Sequence, residues 1–214
     1  MRNWKSVLKN DPTDWLLEST NPSVRYFALT ALLEKPETDP GVVAAKNEIM
    51  QTGKVPKILD KQNTQGYWEA PDKFYTAKYK STVWQLIILA ELGADGNDER
   101  IKKACEFIMA HSIDPESGGF SMMHSTRNGG GRHNAVIPCL TGNMVWSLIQ
   151  LGFLDDPRVD AAINWITHYQ RFDDGRWNLE RTFNGRFQTN IEQKGKPSKW
   201  ITLKALTVLK RFYS

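Results

Sequence analysis

Cys139 and His133 are the residue types that nucleophilic or metal chemistry requires, and they lie six positions apart. A thiol beside an imidazole makes either a nucleophile–base pair or part of a zinc site. Zinc needs at least a third protein ligand, and none stands at ligand spacing, so the sequence implies no metal and no cofactor. A packed cysteine is the plain alternative to a nucleophile. Just upstream runs Arg127-Asn-Gly-Gly-Gly-Arg132-His133. Glycine N–H groups flanked by the guanidiniums of Arg127 and Arg132 suit an anion. No Gly-Lys-Ser/Thr follows, so this is no phosphate loop, and a plain loop is the alternative.

Two acid pairs could supply a general acid. Asp155-Asp156 precedes Pro157, and Asp173-Asp174 precedes Gly175. A working general acid needs a carboxyl in an apolar pocket. Neither pair reads as buried, and the first is better placed to stabilise a helix N-terminus through its dipole. The aromatics offer a different chemistry. Trp84, Trp146 and Trp200 fall early in three apolar helices, and Tyr79 closes a loop rich in aromatics and lysine. An aromatic-lined concavity binds apolar chains and can stabilise cations. Core packing is the alternative for the same rings.

These residues hang on a repeated unit, seen most plainly over 79–120. An apolar helix ends at Leu92-Gly93, a polar turn follows, and an amphipathic helix runs from about Glu99 to Ala110. Neither helix can bury its apolar face alone, so the unit requires neighbours of its own kind. Leu33, Leu92, Leu151 and Leu209 close such helices at spacings of 59, 59 and 58. In that register Phe27, Leu86, Val145 and Leu203 form one core column, and Thr30, Leu89, Leu148 and Leu206 align beside them. Ser23, Thr82, Thr141 and Lys199 mark the helix starts, where the hydroxyls suit N-caps. Ala45, Ala104 and Ala162 align in the second helices, as do Ile49, Ile108 and Ile166.

The intervening turns combine Asp with Gly or Pro. Gly-aromatic turns recur at Gln65–Trp68, Ser117–Phe120 and Asp174–Trp177, their rings placed to plug gaps between hairpins. Pro22 and Pro40 open helices, where a missing N–H is harmless. A short extra helix is expected over Val55–Gln62. Trp4 and Trp15 are expected to seal the first hairpin. Phe183 and Phe187 are expected anchors in a polar stretch before a closing helix. The expectation is therefore an all-α chain of αα-hairpin repeats, one domain over 1–214 with repeats at about 20–68, 79–120 and 137–177 and a closing helix at 198–212.

Bulk properties set wider bounds. The 214 residues carry a net charge of +4 and are 40% hydrophobic, with 8 tryptophans and 2 cysteines. That is enough apolar material for a real core. The mild positive charge permits an anionic partner without requiring one. Cys105 sits among apolar residues and reads as a free buried thiol. The opening residues contain no apolar signal core, and no stretch is long and apolar enough to span a membrane. A soluble, cytoplasmic protein is expected.

The runs NPSVRYFALTALLEKPETDP, QGYW, YKSTVWQLIILAELGAD, PCLTGNMVWSLIQLGF and KWITLKALTVLKR together resemble the prenyltransferase/squalene-cyclase repeat superfamily, over about residues 20–212. The resemblance implies an α/α toroid, with paired helices in two layers around a cavity that takes isoprenoid chains in enzymatic relatives. A closed toroid needs more helix pairs than the three and a half found here. An open crescent, a half-barrel, or one half of a ring completed by a homodimer would accommodate the shortfall. The Asp-x-Asp-Asp motif of cyclases and the Asp-Asp-x-x-Asp motif of terpene synthases are both absent. Ile137 stands where zinc-holding relatives have Asp. The leading expectation is a protein that binds an apolar or isoprenoid-like small molecule, with catalysis open. The alternatives are a cyclase or prenyl transferase active as a dimer, and a helical scaffold for protein. Nucleic acid is the least favoured partner.

Overall fold

The computed structural model describes residues 8–169, 175–177, 179, 192–199, 202, 203 and 206. Trp4, Trp200, Asp173-Asp174, Phe183, Phe187 and most of the expected closing helix lie outside them. Among the described residues the chain is mostly helical, with isolated bridges but no strand.

Eight α-helices are delimited among the described residues: α1 (Thr13–Leu16), α2 (Pro22–Phe27), α3 (Pro40–Gln51), α4 (Lys54–Leu59), α5 (Thr82–Glu91), α6 (Glu99–Ser112), α7 (Pro138–Gln150) and α8 (Pro157–Tyr169). Three consecutive pairs pack together: α2 with α3, α5 with α6, and α7 with α8. The first helices α5 and α7 also pack on each other, and α4 bridges α3 and α5. The expected short extra helix is α4. The core runs through all three pairs, with Val42, Ala45 and Ile49 of α3, Leu86 and Leu89 of α5, Ala104 and Ile108 of α6, Met144 and Leu148 of α7, and Ala162 of α8. Burial of such faces, at roughly 25 cal/mol per Å² of apolar area, is the main stabilising term.

Each second helix begins on an aspartate. Asp39 accepts from the Gly41 N–H at 2.9 Å, Asp98 from Arg100 at 2.8 Å and Asp156 from Arg158 at 2.8 Å. These are N-caps, which satisfy donors that no helical carbonyl can reach. The Arg158 side chain also holds both Asp156 oxygens and both Glu106 oxygens of α6, tying the third pair to the second. Those hydrogen bonds hold Asp156 below the ordinary carboxylate value, with Arg158 the largest cause. The reading of Asp155-Asp156 as a helix-end device therefore rests on Asp156.

The expected hydroxyl caps are something else. Ser81 and Ile137 occupy the cap positions of α5 and α7, and neither side chain caps. The Thr82 hydroxyl instead accepts from the backbone N–H of Trp68 at 3.1 Å. The Thr141 hydroxyl accepts from Phe120 at 2.9 Å, and Thr202 from Trp177 at 2.9 Å. In each case the aromatic that closes one hairpin is fastened to the first turns of the next first helix. Trp68 and Phe120 are buried, so these N–H groups have no water to fall back on. Thr202, three positions past Lys199, plays the part expected at the helix start, because the connection before it is longer.

Two core expectations are corrected. Phe27 is 39% exposed, whereas Tyr26 and Leu29 are buried. The cause is a π-helical turn, Ala28–Leu32, directly after α2. A π turn takes one residue more than an α turn, which rotates the preceding face by one position. Leu203 is 58% exposed, in keeping with the shifted register at Thr202. Trp15 also fails to seal the first hairpin and is 69% exposed. Its helix, α1, spans only four residues and buries none, while Leu17 packs against the core.

The π turn leaves a second mark. Helices α5 and α7 end in Gly93 (φ 70°) and Gly152 (φ 87°), where the left-handed backbone closes paired bonds such as Ala94 N–H to Leu89 and Phe153 N–H to Leu148. The first pair places Glu34 at that point, with φ 51°. Expected outcomes follow from both features. Thr141→Val leaves a buried N–H unpaired and should lower unfolding free energy by about 1–3 kcal/mol, while Thr141→Ser should retain most of it; chemical denaturation reads both. Glu34→Gly removes left-handed strain and should raise stability by about 0.5–1 kcal/mol, a gain that thermal unfolding detects.

Candidate functional site

Large exposed apolar side chains are distributed unevenly over the helix pairs. Val24, Phe27 and Leu32 lie on α2 and its π turn, Ile88 on α5, and Trp146 on α7, each 36–42% exposed. Of the second helices α3, α6 and α8, only α3 exposes one among the described residues, Val43. A helix hydrophobic on more faces than its hairpin partner can cover has something further to bury against.

The described aromatic candidates, Tyr79, Trp84 and Trp146, lie on or just before first helices. Trp146 is 40% exposed. Trp84 is half-buried on α5, and its ring centroid lies 5.2 Å from that of Tyr79. Tyr79 is 74% exposed, and its carbonyl accepts from the Gln85 side chain at 2.6 Å. The indole N–H of Trp84 is buried without a hydrogen-bond partner, as is the Ser81 hydroxyl one turn earlier. Such orphaned groups are uncommon and energetically unfavourable. Tyr79 and Trp84 are thus brought together at the start of α5.

The Cys/His candidates are arranged differently. Cys139 is an exposed free thiol in the first turn of α7. Nδ1 of His133 lies 2.8 Å from Asp114 Oδ2 and 3.5 Å from Glu116 Oε2. Among the described residues no hydrogen bond joins His133 to Cys139, and no three His, Cys, Asp or Glu side chains converge to hold a metal ion. The buried thiol of Cys105 is pushed up to about 12 by desolvation and then by Glu106, which keeps it protonated and unreactive.

Arg127 and Arg132 are both exposed. Two of the glycines between them, Gly130 and Gly131, serve a tight packing contact. Gly131 donates its N–H to Ile113 O at 2.7 Å, and a Cβ on it would stand 2.1 Å from Ser112 O. The stretch folds back on itself through Arg132 N–H to Met123 O, Ser125 N–H to Gly130 O, and the Ser121 hydroxyl to Arg132 O. The Gly131 N–H is therefore committed to the protein, which weakens the anion-cradle expectation.

Asp114 is the residue that sequence reasoning missed here. It is 3% exposed and accepts from the Ser117 hydroxyl at 2.6 Å and the Ser117 N–H at 3.0 Å, as well as facing His133. The Asp-Pro-Glu-Ser spacing at 114–117 was the available signal, since Asp fastens the N–H three residues on in tight turns. Burial pushes the Asp114 carboxyl up, but the bonds from Ser117 and His133 outweigh it and hold it below the ordinary value. His133 is raised, first by its bond to Asp114 and then by Glu116.

No protein-family profile, no curated protein and no solved structure matches the chain.

The His133–Asp114 pair sets a pH dependence with a definite sign. A raised His133 favours the folded chain below the unfolded imidazole value of about 6.5, and the contribution is lost as pH rises through the folded value. A lowered Asp114 contributes above about 3.9 and loses its effect as pH falls through the folded value. A histidine NMR titration should place the His133 midpoint above that of the unfolded chain. Asp114→Asn should bring it down, and an unmoved midpoint would remove the ion pair.

Proposed function

We propose that this chain is a terpenoid-cyclase/prenyltransferase-like helical-repeat protein that binds an apolar or isoprenoid-like ligand on its first-helix face. In this reading the three helix pairs are copies of one unit of about 59 residues, closing helix included, and they curve as part of an α/α toroid. The observation that carries it is the concentration of exposed apolar side chains, Val24, Phe27, Leu32, Ile88 and Trp146, on first helices. In a toroid those helices line the cavity. The recurring threonine–aromatic fastening and aspartate caps support the repeat. Binding does not need the acid motifs that the sequence lacks, and so requires less of this chain than cyclisation would.

Titration with a long-chain isoprenoid alcohol, read by tryptophan fluorescence, tests the proposal. Saturable quenching is expected, and Trp146→Ala should weaken it on the order of tenfold, since a buried aromatic contact is worth roughly that much. Native mass spectrometry in parallel separates the alternative occupant. A concentration-dependent dimer that Trp146→Ala dissociates, with no alcohol bound, would assign the face to a second copy of the chain instead.

A further inference from the structure

Ile88, one of the exposed apolar side chains of the first helices, also lines a cleft between α4 and α5 whose chemistry differs from the rest. Helix α4 is amphipathic over little more than a turn. Val55 and Leu59, four apart, are buried at 1% and 2% exposure. Lys54, Lys57 and Lys61, at spacings of three and four, all point into the cleft with Ile58. From the other side come Gln85, Ile88 and Leu92 of α5, again on one helical face, and Lys80 from the short turn before it. Trp68 lies at the base, its indole N–H fixed to Ile58 O at 2.9 Å. The cleft, open to solvent on one side, has a volume of about 550 Å³.

The charge here is unbalanced. Four lysines face one glutamate, Glu69, and among the described residues none of the four is in an ion pair. Glu69 itself holds φ 65°, an unfavourable backbone for a non-glycine residue, and Lys78, two residues before Lys80, holds φ 55°. Two arginines elsewhere are held closely by carboxylates, Arg100 by Asp98 and Arg158 by Asp156 and Glu106. Four unpaired ammonium groups over an apolar base repel one another and lack a counter-charge. An anion with an apolar body satisfies both halves. Lysine also suits it, since an ammonium is a point charge that accepts phosphate or carboxylate without a fixed geometry.

We propose that this cleft holds the anionic head of an alkyl-chain amphiphile, with Lys54, Lys57, Lys61 and Lys80 around the head and Ile58, Ile88 and Leu92 against the first part of the chain. The inference rests on the apolar first-helix face of the preceding section. Ile88 belongs to both, so the chain leaves the cleft along that face. A nucleic acid fits less well. Apart from Trp68 the apolar lining is aliphatic, and Trp68, at 4% exposure, offers no stacking surface.

The test uses the full chain with three probes, each below any micelle-forming concentration: dodecyl phosphate, dodecanol and inorganic phosphate. Calorimetry should show dodecyl phosphate binding at least about tenfold tighter than dodecanol, with affinity falling as salt rises. The double variant Lys57→Glu/Lys61→Glu should erase that difference and leave dodecanol binding as it was. Both lysines are exposed, so its melting temperature should stay close to that of the parent, and Lys57→Gln/Lys61→Gln gives a neutral control. Equal affinity for dodecanol and dodecyl phosphate overturns the lysine cleft while leaving the apolar face in place. Binding of dodecyl phosphate that the charge reversal does not weaken overturns it too. Inorganic phosphate bound as tightly as dodecyl phosphate overturns the amphiphile. Failure of both chain-bearing probes overturns this inference and the apolar reading together.

Discussion

One hydrogen bond repeats through this protein and orders what surrounds it. A backbone N–H at the aromatic end of each helix pair meets a threonine hydroxyl further on: Trp68 to Thr82 and Phe120 to Thr141 at the start of the next pair, and Trp177 to Thr202 after the third. The first two contacts are polar, buried and directional, so they fix where the next pair begins in a way that apolar packing cannot. Packing then supplies the bulk of the free energy around it. The aromatic ring fills the seam, and first helix packs on first helix, as α5 does on α7. The first helices keep exposed apolar side chains outside that arrangement.

Much of this was legible in the sequence, because periodic burial writes itself into residue type. The columns Ala45, Ala104, Ala162 and Ile49, Ile108 describe buried positions on the second helices, with Ile166 partly buried beside them. The aspartates at the turns, the prolines at helix starts and the extra helix before Trp68 were equally readable, since each depends on its nearest neighbours in the chain. The threonines were noticed for the wrong reason. A hydroxyl near a helix start suits a cap, and only the folded chain shows that its partner lies 14 or 21 residues earlier. The π turn left no signature in Ala28–Leu32, so the register of Phe27 was off by one position.

The candidate sites were less legible, for the same physical reason. Cys139 and His133 are close in sequence, but His133 is taken by Asp114, nineteen residues away across a fold-back that the glycines permit. The lysines of α4 gave no signal of their own, because the helix that faces them and the ring beside them come from other segments. Trp84 and Trp146 shared a register only loosely. One became a half-buried residue with an unpaired N–H, the other an exposed ring. Local propensity predicts elements well, while sites depend on which elements meet.

The threonine fastening also has a mechanical meaning. Each bond joins one pair only to the next, but the second and third pairs are joined again by the α5–α7 contact and by Arg158 on Glu106. Load between those two pairs would therefore be shared. Between the first and second pairs it is α4 that packs on both sides, against α3 and α5. Tension across that seam would draw on α4, and with it on the lysine-lined cleft.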